Sequence, residues 1–307
     1  MTKPPTPEID PALEKSSHRG AIVFLLIGAV LISLSGVWVK AARVDASTSA
    51  FHRVFLGGIM LLALVMARGE ARGIGWRHMR MGLLSGLLFG LDLFLYHKSI
   101  LLVGPGLGTI LPNFQVFLLA AFGFAFMGES IRLAYVLSVP CAITGLFMIV
   151  GFDWSSMSAE YVSGIWYGLA CAVIYAFYIL SLRKTQSMAR DASMFLTMAI
   201  VSLSAAGFLG LEAWSLDIPL IVLEPRTILS LLALALFSQV VGWTLIATNL
   251  PRIQASVAGV VLLLQPALAF VWDCLLFHRE TSALNWLGLF VVLTAIYFAT
   301  AKPRPRS

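Results

Sequence analysis

After a polar, Pro-rich opening from Met1 to Arg19, apolar residues run almost unbroken in stretches of about 20, the length a helix needs to cross a bilayer core. Short breaks rich in Lys, Arg, Gly, Pro and acids divide the chain into ten candidate spans, at about 20–41, 47–67, 79–101, 105–127, 131–151, 161–182, 190–211, 227–249, 253–277 and 281–301. Barrel strands would alternate apolar and polar residues, which these do not, and an open sheet edge in lipid would leave backbone groups unpaired. The pattern predicts an all-α integral membrane protein of ten transmembrane helices, flanked by disordered tails at 1–19 and 302–307. The first apolar run is longer than a signal-peptide core and is expected to remain as a helix.

Composition agrees with the pattern. Of 307 residues, 59% are hydrophobic and only 12% charged, too few charges to cover a soluble globule of this size. The net charge of +6 gathers in short clusters between apolar runs, which fits membrane topology rather than nucleic-acid binding. With the N-terminus inside, the cytoplasmic segments would hold 15 Lys and Arg and the opposite side five, so both termini are expected in the cytoplasm. Cys141, Cys171 and Cys274 lie singly within apolar runs and are expected to be packing residues.

A weak internal repeat appears at an offset of about 150 residues: Gln115 in LPNFQVF faces Gln265 in LLLQPAL, and the Glu129 turn faces Glu280 one residue late. The copies are expected at 20–151 and 152–301, with five spans each. An odd number of spans forces the second copy to enter the membrane upside down, the plan of many secondary transporters, whose substrate site lies near midplane between the copies.

Several polar groups are expected at membrane depth. Asp92 falls about 15 Å from the outer end of the third span at 1.5 Å per residue. A charge there costs several kcal/mol unless it meets water, a partner or a proton. It reads either as a proton carrier or amine ligand, or as a structural pair. Ser85, Tyr96 and Ser99 share its helix face, while Gly82, Gly86 and Gly90 occupy another face suited to close packing. Arg53 either snorkels to the interface or holds a substrate carboxylate through its planar fork. Gln115 and Gln265 stand beside helix breakers and serve either substrate or interhelical contacts. Tyr178, three residues from Tyr175, and Trp243, four from Gln239, supply either cavity walls or plain packing.

No phosphate-binding loop, HExxH or GxSxG occurs, so neither ATP coupling nor a hydrolase is indicated, and no metal or other cofactor is expected. The spacing of His52, His97, Asp273 and His278 gives no support to a metal site.

The five-plus-five layout, YHKSILLVGPGLGTIL between the third and fourth spans, the GES turn after the fourth and IYAFYILSLRK in the sixth resemble the drug/metabolite transporter superfamily, EamA type. The second half departs from the pattern, with Arg279-Glu280 in place of Gly-Glu. Within the superfamily the chain is similar to YddG-type amino-acid exporters. The resemblance implies export of small metabolites, amino acids and aromatic ones included, across the cytoplasmic membrane by alternating access. Asp92, Tyr96, Gln115, Tyr178, Trp243, Gln265 and Arg53 are then the expected substrate-binding residues, and Asp92 the expected proton-coupling group. The partners would be a small-molecule substrate, the lipid bilayer and a proton. The alternatives are a transporter or exchanger of phosphorylated metabolites or nucleotide sugars, an intramembrane enzyme, or a receptor-like scaffold.

Overall fold

The computed structural model describes residues 11–71, 74–129, 133–150, 158–188, 193–278 and 280–300. Most of both expected tails, and the basic residues Arg72, Arg132, Arg190 and Arg279, lie outside them. Ten helices are long and apolar enough to cross a membrane: α1 (Gly20–Ala42), α2 (Ala46–Arg68), α3 (Trp76–Val103), α4 (Leu107–Met127), α5 (Leu133–Val150), α6 (Ala159–Met188), α7 (Met194–Ser215), α8 (Pro225–Arg252), α9 (Ala255–Phe277) and α10 (Ala283–Thr300). The described residues contain no strand, and the fold is all-α as the hydrophobic pattern predicts.

The helices overrun the expected spans where polar residues continue them beyond the apolar stretch, as at the end of α6 through Met188. Hydropathy locates the lipid-facing part of a helix, not its end. The same applies at the start: the helix that becomes α1 begins at Pro11 rather than emerging from a disordered segment ending at residue 19. Pro at a first helical turn followed by Ala, Leu, Glu and Lys accounts for this.

Helix packing follows a rule of exchange. The principal neighbours are α3 with α6, α1 with α8, α3 with α7, α2 with α8, α4 with α6 and α1 with α9, together with α2–α7, α4–α9 and α5–α10. Adding or subtracting five turns each of these pairs into another or into itself. Glycines set the tightest crossings. A Cβ at Gly28 of α1 would stand 2.8 Å from the Gly242 carbonyl oxygen of α8, and one at Gly145 of α5 would stand 2.7 Å from that of Gly288 in α10. Gly82, Gly86 and Gly90 of α3 face Ile200, Ser204 and Phe208 of α7, the close-packed face their spacing predicts.

Four helices are irregular within their spans. In α1 the helix is interrupted at Leu34, where Ser33 and Ser35 donate side-chain bonds to the carbonyls of Val30 at 2.6 Å and Ile32 at 2.5 Å. Such back-bonding competes with the helical ladder. A 3₁₀ turn at Leu111–Phe114 contains Pro112 and opens the helix Gln115–Met127 of α4. In α9 the ladder is interrupted at Leu263, before Pro266, and α8 carries a π-helical stretch at Leu234–Gly242. These breaks surround one interior space.

Candidate functional site

That space is a cavity of about 360 Å³ bordered by α1, α2, α3, α4, α6, α8 and α9. Its wall takes residues 32–39 from α1 and 46–53 from α2, which flank the α1–α2 connection, and Ile100 and Thr109, which flank the α3–α4 connection. The cavity therefore reaches from the middle of the bundle toward the end bearing these two connections. The opposite end is packed shut, with α4 and α9 touching where a Cβ at Gly259 would lie 3.1 Å from Leu119 Cδ1.

Five of the seven expected residues line the cavity: Arg53, Asp92, Tyr96, Trp243 and Gln265. Asp92 is buried, and its Oδ1 accepts a hydrogen bond from Cys171 Sγ at 3.0 Å. Arg53 projects inward rather than snorkelling; its guanidinium carbon stands 5.9 Å from the centroid of the Phe89 ring, and its Nε is buried without a hydrogen-bond partner among the described residues. No ion pair joins Arg53 to Asp92 among the described residues, although both face the same space. Trp243 Nε1, Gln265 Nε2 and His97 Nδ1 are likewise buried and unpartnered there. These wall residues thus carry buried polar atoms without a partner among the described residues, and an unmade buried hydrogen bond costs about 1–3 kcal/mol.

The other two stand back from it. Gln115 is fully buried in the closed half, its Nε2 3.4 Å from the Gly259 carbonyl oxygen of α9. It stands just beyond Pro112 and Asn113, which do line the wall, so the cavity ends above it. Tyr178 lies beneath the aromatic floor, stacked on Phe89 at 4.6 Å and edge-on to Trp243 at 5.1 Å. Its neighbour one turn earlier, Tyr175, takes the wall position instead. On α3 only Asp92 and Tyr96 of the expected polar face reach the cavity; Ser85 bonds Ser181 of α6 at 2.7 Å and Ser99 bonds the Gly164 carbonyl at 2.9 Å.

Sequence reasoning missed Phe89, Tyr175, His97, Asn113 and Cys171 as wall residues. Phe89 precedes Asp92 by three positions and so shares its face, a signal hidden by the abundance of apolar residues on α3. Cys171 carried no signal beyond its midspan position. Lys40 and Asp273 form an ion pair of 3.4 Å, half-exposed, and neither lines the cavity. Among the described residues no three His, Cys, Asp or Glu side chains converge to hold a metal ion.

The cavity has the size and enclosure of a small-molecule site, and comparison with known proteins gives the family. The model of the EamA-like transporter family matches residues 19–151 and again residues 162–301. The uncharacterized transporter YwfM of Bacillus subtilis (strain 168) is 24% identical over 285 residues, covering 92% of this chain and 94% of YwfM. The aromatic amino acid exporter YddG of Ancylobacter novellus is 27% identical over 195 residues, 59% of this chain and 65% of YddG. A solved crystal structure superimposes with a TM-score of 0.78 at 19% identity, covering 92% of this chain and 98% of the other, which shows a shared fold. With nearly all of its length accounted for by two matches to one family, this multi-pass membrane protein belongs to the EamA-like transporter family.

Proposed function

We propose that the protein exports amino acids, aromatic ones among them, across the cytoplasmic membrane by alternating access, with both termini in the cytoplasm. The observation that carries this reading is that Arg53 and Asp92 face one cavity without pairing to each other. An unpaired cation and an unpaired carboxylate in one low-dielectric space suit a zwitterion, whose carboxylate takes the guanidinium fork and whose amine takes Asp92. Phe89, Tyr175 and Trp243 offer an aromatic surface for the side chain. A volume of about 360 Å³ falls at the small end of the about 300–1,000 Å³ of small-molecule sites, the scale of a single metabolite.

A nucleotide sugar or phosphorylated metabolite is supported less well. Arg53 is the one Lys or Arg on the described cavity wall, whereas Lys40 pairs with Asp273 and Lys98 lies 5.6 Å over the Phe94 ring. An enzymatic role has no support in a family of transporters.

The two halves act as inverted copies that rock about the cavity. The doubled family match and the exchange of packing partners support this arrangement. Asp92 carries the coupled proton. Counterflow of labelled phenylalanine in proteoliposomes, with and without a pH gradient, tests the reading: saturable flux that responds to the gradient is expected. Flux of neither aromatic nor aliphatic amino acids would contradict it.

A further inference from the structure

The cavity leaves one buried acid unused. Glu129, at the turn that ends α4, is 8% exposed and points into the closed end of the bundle. Its carboxylate accepts bonds from the backbone N–H groups of Ala255 at 2.6 Å and Ser256 at 3.2 Å and from Ser256 Oγ at 2.7 Å, and pairs with Arg183 of α6 at 3.4 Å. The first amides of α9 have no intrahelical partner, and Gln254, at the capping position, supplies none. A carboxylate from the other half supplies the cap, where the helix dipole also favours it. Gly123 makes room for it, since a Cβ there would fall on the Glu129 carboxylate.

At the other end no such device is seen among the described residues. Both α4 and α9 end on a left-handed residue, Gly128 at φ 65° and His278 at φ 51°, whose N–H groups bond Gly123 and Asp273, so the two turns match at an offset of 150 residues. At that offset Glu129 corresponds to Arg279, and Glu280, one residue on, is exposed. There α9 meets α1 through the half-exposed Lys40–Asp273 pair, with Lys40 also 4.1 Å over the Phe277 ring, and through a hydrogen bond of 2.8 Å from Trp272 Nε1 to Ser33 Oγ. Among the described residues a buried, multiply bonded acid fastens the first end, while the Lys40–Asp273 pair at the other is half-exposed and contributes little by itself.

We propose that Glu129 is the latch of the closed end: it holds α4, α6 and α9 together while the cavity is open at the opposite end and releases the α9 terminus when the cavity turns over. The proposal rests on the alternating-access reading, but its test reads conformation and not flux, so either can fail without the other.

The test is hydrogen-exchange mass spectrometry of the full chain in lipid nanodiscs, comparing the wild type with Glu129→Gln, Ser256→Ala and Glu280→Gln. In Glu129→Gln, amides 255–258 should exchange faster by about tenfold or more, as expected for loss of a charged hydrogen bond. Amides 35–42 and 46–50 at the open end should exchange more slowly, because the population shifts toward closure there. Ser256→Ala, which removes one bond only, should shift both regions in the same directions by less and decides the matter if Glu129→Gln does not fold. Glu280→Gln should change neither region. Faster exchange at 255–258 with the open end unchanged or also faster would reduce Glu129 to a helix cap and overturn the proposal.

Discussion

Cys171 and Asp92 are joined across α6 and α3 by a 3.0 Å hydrogen bond from thiol to carboxylate, with the Asp92 backbone oxygen a further 3.4 Å from the same sulfur. This ties the acid to the helix that also supplies Tyr175. A thiol is a weak donor, so it steers the carboxylate while leaving it capacity for a ligand or a proton. Replacing Cys171 by Ala should raise KM by about tenfold, the equivalent of about 1.4 kcal/mol, with kcat nearly unchanged. Cys171→Ser should restore most of it. Counterflow at several substrate concentrations separates the two parameters, and an unchanged KM in Cys171→Ala would remove the positioning role.

Arg53→Lys should weaken amino-acid binding almost as much as Arg53→Ala, by about 10- to 100-fold, because a lysine ammonium cannot reproduce the two-pronged contact with a carboxylate. Equilibrium binding of labelled substrate to the detergent-solubilised variants checks this. Near-normal affinity in the lysine variant would mean that Arg53 acts only as a point charge.

Tyr175 and Tyr178 should behave differently although they sit one helical turn apart. The Tyr178 hydroxyl has no partner among the described residues and lies outside the cavity, so Tyr178→Phe should leave transport within about twofold of the wild type. Tyr175→Ala removes a wall aromatic and should weaken aromatic substrates by about 2- to 12-fold relative to aliphatic ones, the worth of a ring–ring contact. Equal losses for both substrate classes would place the substrate side chain elsewhere.

Gly145→Val should destabilise the bundle by about 1–3 kcal/mol through overpacking, because its Cβ would meet the Gly288 backbone, which cannot rotate away. Gly207→Ala is the control, having nothing within 4 Å of its Cβ. Thermal unfolding in detergent should show a lowered midpoint for the first and none for the second.

The spans were legible because a bilayer demands length and apolarity, and α3 announced its glycine face through the spacing of Gly82, Gly86 and Gly90. Asp92 and Arg53 were legible because charge at membrane depth is costly enough to need a reason. Gln115 and Gln265 looked alike in sequence, yet the cavity reaches toward one end of the bundle and so gives the two positions different surroundings, and only Gln265 reaches it. Tyr175 and Tyr178 could not be ranked from helix spacing, because what separates them is the depth of the floor formed by Phe89. Glu129 was visible as part of a turn motif, but its bonds to Ala255 and Ser256 join positions more than a hundred residues apart and leave no local signature.

The pairing of one zwitterion with Arg53 and Asp92 is tested most directly by measuring the binding of phenylalanine, phenethylamine and 3-phenylpropionate to the wild type, Arg53→Ala and Asp92→Asn. The wild type should prefer phenylalanine to both analogues. Arg53→Ala should bind phenylalanine no better than phenethylamine, and Asp92→Asn should bind it no better than 3-phenylpropionate. If each variant instead keeps the wild-type order of preference, the two side chains do not hold the two ends of the substrate.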